Sequence, residues 1–188
     1  MTDIPHHSVI VIGGGQAGLS ISHYLKQYGV DHAVFEKGEA LAAWRDQRWD
    51  NFCLVTPNWQ CALPGHPYNG PEPDGFMKKA EILAYLSAFK TKVNAPLFEG
   101  VAVKRVSRRE GGGFHVATSA GDFTADQVVA ASGGYHTPII PRFAERLPKS
   151  IMQLHSEQYR NPAALPEGPV LVVGSGQSGA QIAEDLHL

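Results

Sequence analysis

S-V-I-V-I-G-G-G-Q-A-G-L-S, residues Ser8 to Ser20, decides how this chain folds. Ser8 to Ile12 is a short, mostly β-branched apolar run of the kind that makes a buried parallel strand, and a helical pattern follows it at once. Between the two, Gly13, Gly15 and Gly18 fall at the G-x-G-x-x-G spacing of a dinucleotide-binding βα turn. Each glycine has a separate job. Gly13 lets the chain turn sharply out of the strand, Gly15 keeps a Cβ away from a pyrophosphate, and Gly18 lets the helix pack closely on the strand. The exposed amides and the dipole of the helix N-terminus then face the phosphates.

Glycine clusters also make ordinary turns, so the flanks decide. The helical pattern runs from Gln16 to Tyr28, with Ala17, Ile21, Leu25 and Tyr28 recurring at helical spacing and Gly29 ending it. A second apolar strand, His32 to Phe35, ends in Glu36, 23 residues after Gly13, the distance at which an acid holds a ribose hydroxyl. The alternative for Glu36 is a solvated charge at a strand end. Glycines, helix and acid in register complete a βαβ unit with a dinucleotide site.

The 188 residues suit one domain, or one domain with a piece of another, and 43% apolar residues suffice for a real core. With 16 basic side chains against 18 acidic ones, the formal charge of −2 leaves no basic footprint for nucleic acid and no polybasic arm for a membrane. Met1 to His7 carries no basic n-region, and glycines break the apolar run that follows. Neither a secretory signal nor a membrane span is expected, and the chain reads as cytoplasmic. Cys53 and Cys61 match neither C-x-x-C nor a zinc pair and read as reduced and structural. The histidines show no metal spacing such as H-E-x-x-H.

From Trp44 to Pro73 the chain is rich in Trp, Pro, Asn and Gly without sustained periodicity, which predicts a long functional loop. Its aromatics Trp44, Trp49, Phe52 and Trp59 either serve a ligand or pack under the loop. A helix is expected from Gly75 to Lys90, burying Met77, Ala80, Leu83, Leu86 and Phe89. From Leu97 to Ala131 the period becomes two, through Val101, Val103 and Val106, then Phe114 and Val116, then Phe123 and Val128 to Ala131. With turns at Gly111 to Gly113 and Ala120 to Asp122, these are strands of a meander. The meander exits through Ser132, Gly133 and Gly134, where a backbone can approach a ligand. Prolines from Pro138 to Pro169 then mark a crossing between domains.

At its end the chain repeats its opening device. Val170 to Val173 is an apolar run, and Gly174, Gly176 and Gly179 restate G-x-G-x-x-G ahead of a helical pattern, Ile182 to Leu186. Two copies about 160 residues apart, each between strand and helix, argue for two nucleotide sites. A repeated structural turn without ligand is the alternative for the second.

On these residues the chain resembles the N-terminal part of two-dinucleotide-binding-domain flavoproteins, most of all the bacterial flavin-containing monooxygenases. That group's alanine-threonine-glycine turn after the meander is here Ala131, Ser132 and Gly133, followed by Tyr135, His136, Pro138 and Pro141 in a similar pattern. Its Gly-Gly-x-Trp after the acid is replaced by Ala42 and Ala43 with Trp44 directly behind them. Its identifying motif, Phe-x-Gly-x-x-x-His followed after three residues by Tyr or Phe, is matched in the second half only. His155 and Tyr159 fall at the right spacing, with Ser156 and Arg160 also similar, but Lys149 and Ile151 stand at the Phe and Gly positions. His155 is read equally well as a structural residue.

The resemblance implies an α/β fold: a Rossmann-like FAD-binding domain with a β-meander, of the glutathione-reductase type, over residues 1–165 with the loop-rich segment 44–73. Residues 166–188 would be the truncated first βα unit of a second, NAD(P)-binding domain. It implies FAD at Gly13, Gly15, Gln16, Ala17, Gly18, Glu36, Lys37, Trp44, Val103, Ser132 and Gly133, and NADPH or NADH at Gly174, Gly176, Gln177, Ser178 and Gly179. The implied reaction is monooxygenation, in which a flavin hydroperoxide formed with O2 transfers one oxygen to a small organic substrate. The rival readings are a flavin-dependent disulfide or ferredoxin-type reductase and a non-catalytic FAD-binding fragment. One βα unit after Pro169 falls short of a nucleotide-binding domain, so the chain is expected to be a fragment with weak flavin retention. Its uncovered sheet edge and helix face would invite association into a homo-oligomer.

Overall fold

The structure, a computed structural model, describes residues 4–135 and 137–187, so His136 of the sequence pattern lies outside the described residues. These residues form two compact units, one of Met1–Ala42, Ala62–Pro67 and Ala84–Gly134 and the other of Ala43–Cys61, Tyr68–Leu83 and Tyr135–Leu188. Among the described residues no helix is long and apolar enough to cross a membrane.

The first unit is built on strand β1 (His6–Ile12), helix α1 (Gln16–Gln27) and strand β2 (His32–Phe35). β1 pairs in parallel with β2, with Ile10 opposite Ala33 and Ile12 opposite Phe35. Alternation along these strands makes two apolar layers. Val9, Val11 and Val34 face one way and collect Ile21 and Leu25 of α1. Ile10, Ala33 and Phe35 face the other and collect Val101, Val103, Phe114, Val116 and Phe123.

α1 ends as its sequence predicts. Gly29 takes φ +65°, its amide donates to Lys26, and the next amide, of Val30, reaches Leu25, a Schellman arrangement. Of the residues at helical spacing Ala17 and Tyr28 are exposed, while Gly18, Leu19 and Ser22 are buried. A polar pair accounts for Ser22. Its hydroxyl bonds Nε2 of the buried His32 at 2.8 Å while His32 Nδ1 lies 2.9 Å from the Val30 carbonyl oxygen. Both ring nitrogens are thus satisfied by the Nδ1–H tautomer, and α1 is pinned to the start of β2.

Beyond β2 come helix α2 (Ala42–Asp46), the hairpin β3 (Ala62–Leu63) and β4 (His66–Pro67), helix α3 (Lys79–Val93) and strand β5 (Leu97–Phe98). The meander follows as β6 (Val103–Arg108), β7 (Phe114–Thr118) and β8 (Gly121–Ala130), with the glycines at 111, 112 and 113 all at positive φ in the first turn. The six-stranded sheet runs β5-β2-β1-β8-β7-β6. Its first four strands are parallel and the meander strands antiparallel, so this unit is a Rossmann-like sheet extended by a β-meander. Leu97, read as the start of the meander, belongs instead to the parallel edge strand β5, because its two-residue run pairs with Val34 and Phe35.

The predicted helix from Gly75 starts later, at Lys79. Before that point the backbone is committed elsewhere, with Gly75 accepting from the Asn58 amide and Met77 bonded to both Asn58 and Leu54. Glu81 then reaches back to the Lys78 amide at 2.8 Å, half of a capping box. The buried stripe is Ile82, Leu86, Phe89 and Val93, so Ala80 is exposed and Leu83 only half-buried.

In the second unit the loop-rich segment packs on its own aromatics. Trp44 and Trp49 stand edge-on to Phe52 at 6.1 and 5.0 Å, while Trp59 is exposed and does not join them. Helix α4 (Gln177–His187) follows the second glycine turn. Val170 to Val173 does not form the predicted strand. Among the described residues no segment pairs with it, and a strand exists only through the hydrogen bonds of a neighbour.

Candidate functional site: two glycine turns

The parallel strands β1, β2 and β8 end on one side of the sheet, and the residues that follow them meet there. Gly13 leaves β1 at φ +115°, and its amide donates to the Phe35 carbonyl at 2.8 Å. A Cβ on Gly13 would lie 2.3 Å from the Ala131 carbonyl oxygen, and one on Gly18 would lie 1.9 Å from the Gly13 oxygen. Both positions therefore admit only glycine without backbone movement. Gly15 is different. A Cβ there would meet nothing within 4 Å, and φ is an ordinary −82°.

Gly15 caps α1 with no side-chain hydrogen bond, and the first turn holds no acidic residue. The first amides of the helix, those of Gln16 and Ala17 among them, keep their donors and positive dipole end for another partner. Glu36 stands beside this turn. Its carboxylate accepts from the Gly14 amide at 2.8 Å and the Gly38 amide at 3.0 Å, which binds the end of β2 to the glycine loop. Lys37 next to it is exposed. On the other flank Ala131 donates to Ile12 at 2.8 Å, and Ser132 and Gly133 lead away exposed, Gly133 at φ +77°. Val103 lies in the same unit, within the apolar layer of the meander.

The second turn repeats the first at its last glycine but not at its first, since a Cβ on Gly174 would meet nothing within 4 Å where one on Gly13 meets the Ala131 carbonyl. Gly174 has φ +116°, and a Cβ on Gly179 would lie 2.0 Å from the Gly174 oxygen and 3.7 Å from Val172. The corresponding Gly18 values are 1.9 Å to Gly13 and 3.5 Å to Val11. A Cβ on Gly176, like one on Gly15, would meet nothing within 4 Å, and α4 has no acid in its first turn. Gln177 points its amide toward the Cys53 carbonyl, 3.5 Å away, and Ser178 is half-buried.

The remaining candidates lie in the second unit. Trp44 carries the Arg48 guanidinium over its ring at 5.2 Å, and burial lowers the pKa of that arginine. Nδ1 of His155 accepts from the Glu157 amide at 3.2 Å, a local turn bond. Tyr159 is buried and its hydroxyl donates to Asp185 at 2.6 Å, with burial and then that carboxylate raising the phenol pKa. Cys53 and Cys61 form no disulfide, and burial pushes both thiols up.

Sequence reasoning missed Gly14 and Asp185. Gly14 is the uncounted middle member of the glycine triplet, and a Cβ there would press on Glu36 at 3.0 Å. Asp185 gave no signal along the chain, because its partners Tyr159 and Asn51 lie far from it in sequence.

The family model of pyridine nucleotide-disulphide oxidoreductases matches residues 10–187. A Geobacillus kaustophilus protein named "Uncharacterized oxidoreductase CzcO-like" is 41% identical over 179 residues, 95% of this chain and 51% of that protein. The Arabidopsis thaliana "Probable indole-3-pyruvate monooxygenase YUCCA4" is 28% identical over 94% of this chain and 43% of its own length. Among solved structures, the flavin-containing monooxygenase from Stenotrophomonas maltophilia superposes with a TM-score of 0.85 at 31% identity, covering 98% of this chain and 56% of that one. The chain spans about half the length of the curated relatives it matches.

Proposed function

The chain belongs to the pyridine nucleotide-disulphide oxidoreductase family, and on that premise we propose that it serves an FAD-dependent, NAD(P)H-using monooxygenase acting on a small organic substrate with O2. The observation that carries this reading is the pair of matching turns, φ +115° and +116°, each with an open approach at its middle glycine. In this reading residues 1–165 hold FAD and 166–188 open the nicotinamide domain.

The residues present fit FAD at the first turn. Uncapped α1 amides suit a pyrophosphate, and the bare Gly15 admits its close approach. Glu36 spends two acceptor sites on Gly14 and Gly38, and a carboxylate offers about four, so lone pairs remain for ribose hydroxyls. When bound, the flavin supplies the electron transfer and oxygen chemistry, and the protein supplies binding, orientation and exclusion of water. A disulfide reductase would need a thiol activated by a lowered pKa, whereas burial raises those of Cys53 and Cys61.

The test is NADPH oxidation followed together with O2 uptake in an FAD-loaded protein that carries the 188 residues together with a complete nicotinamide domain. Gly176→Val should lose NADPH binding and keep the flavin absorbance. Simultaneous loss of both would count against separate sites.

A further inference from the structure

The two glycine turns share their geometry but are seated by different means. α1 lies on the parallel sheet through Ile21 and Leu25, packed against Val9, Val11 and Val34. Among the described residues Val170 to Val173, the segment ahead of α4, pairs with nothing, and the contacts recorded for α4 are of another kind. Aligning Gly13 with Gly174 puts Asp185 at the place of Tyr24. Tyr24 is 47% exposed, yet Asp185 is only 6% exposed.

Asp185 is expensive where it stands. It is a buried carboxylate, and burying a charge costs free energy unless it is paired. Its two oxygens are both answered: the Tyr159 hydroxyl, itself 4% exposed, donates at 2.6 Å and the Asn51 amide at 2.5 Å. One turn earlier Gln181 donates to the Cys53 carbonyl at 3.0 Å, and Ile182 is buried between. A plain apolar contact would hold the helix without this cost, but it would not set its rotation, whereas directional bonds to one carboxylate do.

We infer that Asp185 and Tyr159, with Asn51, form a clamp that fixes the rotation of α4 and so presents the amides of the Gly174–Gly179 turn to the nicotinamide dinucleotide. Tyr159 and Asp185 are then positioning residues, and the second half of the His155-Tyr159 motif acts on the cofactor through α4. The inference rests on the reading of that turn as the nicotinamide nucleotide site.

The test uses the FAD-loaded protein that carries these residues with a complete nicotinamide domain, and introduces Tyr159→Phe, Asp185→Asn and the double variant Tyr159→Phe/Asp185→Leu. The double variant removes the pair without leaving a buried charge, so it should keep the wild-type melting temperature. NADP+ affinity should nevertheless fall about tenfold in Tyr159→Phe and in the double variant, and less in Asp185→Asn, which keeps an acceptor. FAD retention should not change. In the ligand-free protein, hydrogen exchange at Ala180, whose amide bonds Gly176 at 3.0 Å, should quicken while α1 amides stay as they were. Wild-type exchange and wild-type NADP+ affinity in the stable double variant would overturn the clamp. If exchange quickens but Gly176→Val leaves NADP+ binding untouched, the nucleotide reading falls and the clamp stands.

Discussion

The glycines of the first turn separate ligand from fold at single positions. A side chain on Gly18 would meet the Gly13 carbonyl at 1.9 Å, a backbone atom that cannot move without dragging β1. Gly18→Val should therefore destabilise the protein without any flavin present, by at least about 2 kcal/mol, or roughly 4–8 °C in melting temperature. A Cβ on Gly15 meets no protein atom within 4 Å, so Gly15→Val should leave the ligand-free melting temperature in place while FAD affinity in a titration falls well below that of the unsubstituted protein. Full flavin retention by Gly15→Val would sink the assignment of FAD to this turn. Spacing in the sequence already marked both glycines. What spacing could not tell was that one is required by the protein's own backbone and the other only by whatever approaches it.

Elements in the first unit are tied by charge at the edge of the sheet. Glu99, just after β5, accepts from Lys90 of α3 at 2.7 Å and from the Ala40 amide at 2.8 Å. The lysine bond first, then the amide, lowers the Glu99 pKa in the folded state. A carboxylate whose folded pKa is depressed stabilises the fold above its unfolded pKa and loses that contribution as pH falls through the folded one. The pair is more than one-third exposed, so solvent screening limits it to a few tenths of a kcal/mol, at most about 1. Glu99→Gln should thus lower the melting temperature slightly at pH 7, and the gap to wild type should close below about pH 4 and shrink in high salt. A gap that persists at pH 3 would assign the effect to packing. None of this contact was legible in the sequence, because Lys90 and Glu99 meet only when α3 and β5 are folded back on each other. The meander, by contrast, was legible strand by strand, since period-two alternation and glycine turns are local signals.

At the scale of the molecule, Leu171 is 86% and Val173 68% exposed, in a segment that pairs with nothing among the described residues. Unpaired apolar backbone of this kind seeks a partner strand, so sedimentation velocity should show association that grows with concentration. Leu171→Lys with Val173→Lys should shift the protein toward monomer, and a wild-type chain that stays monomeric at every concentration would refute the expectation. The same segment marks the boundary of what sequence alone decides. Glycine spacing, apolar runs and the acid after β2 are set by nearest neighbours along the chain, so both turns and the Rossmann-like plan with its meander could be read before any fold was known. Pairing is decided by residues far apart in sequence. Only the tertiary structure placed Leu97 in a parallel edge strand, left Val170 to Val173 without a ladder, joined Glu36 to Gly14, and buried Asp185 against Tyr159 and Asn51. Two glycine patterns of the same spacing thus share the close contact of their last glycine with their first, while only the tertiary structure set Val9, Val11 and Val34 against α1 and Tyr159 and Asn51 against Asp185 of α4.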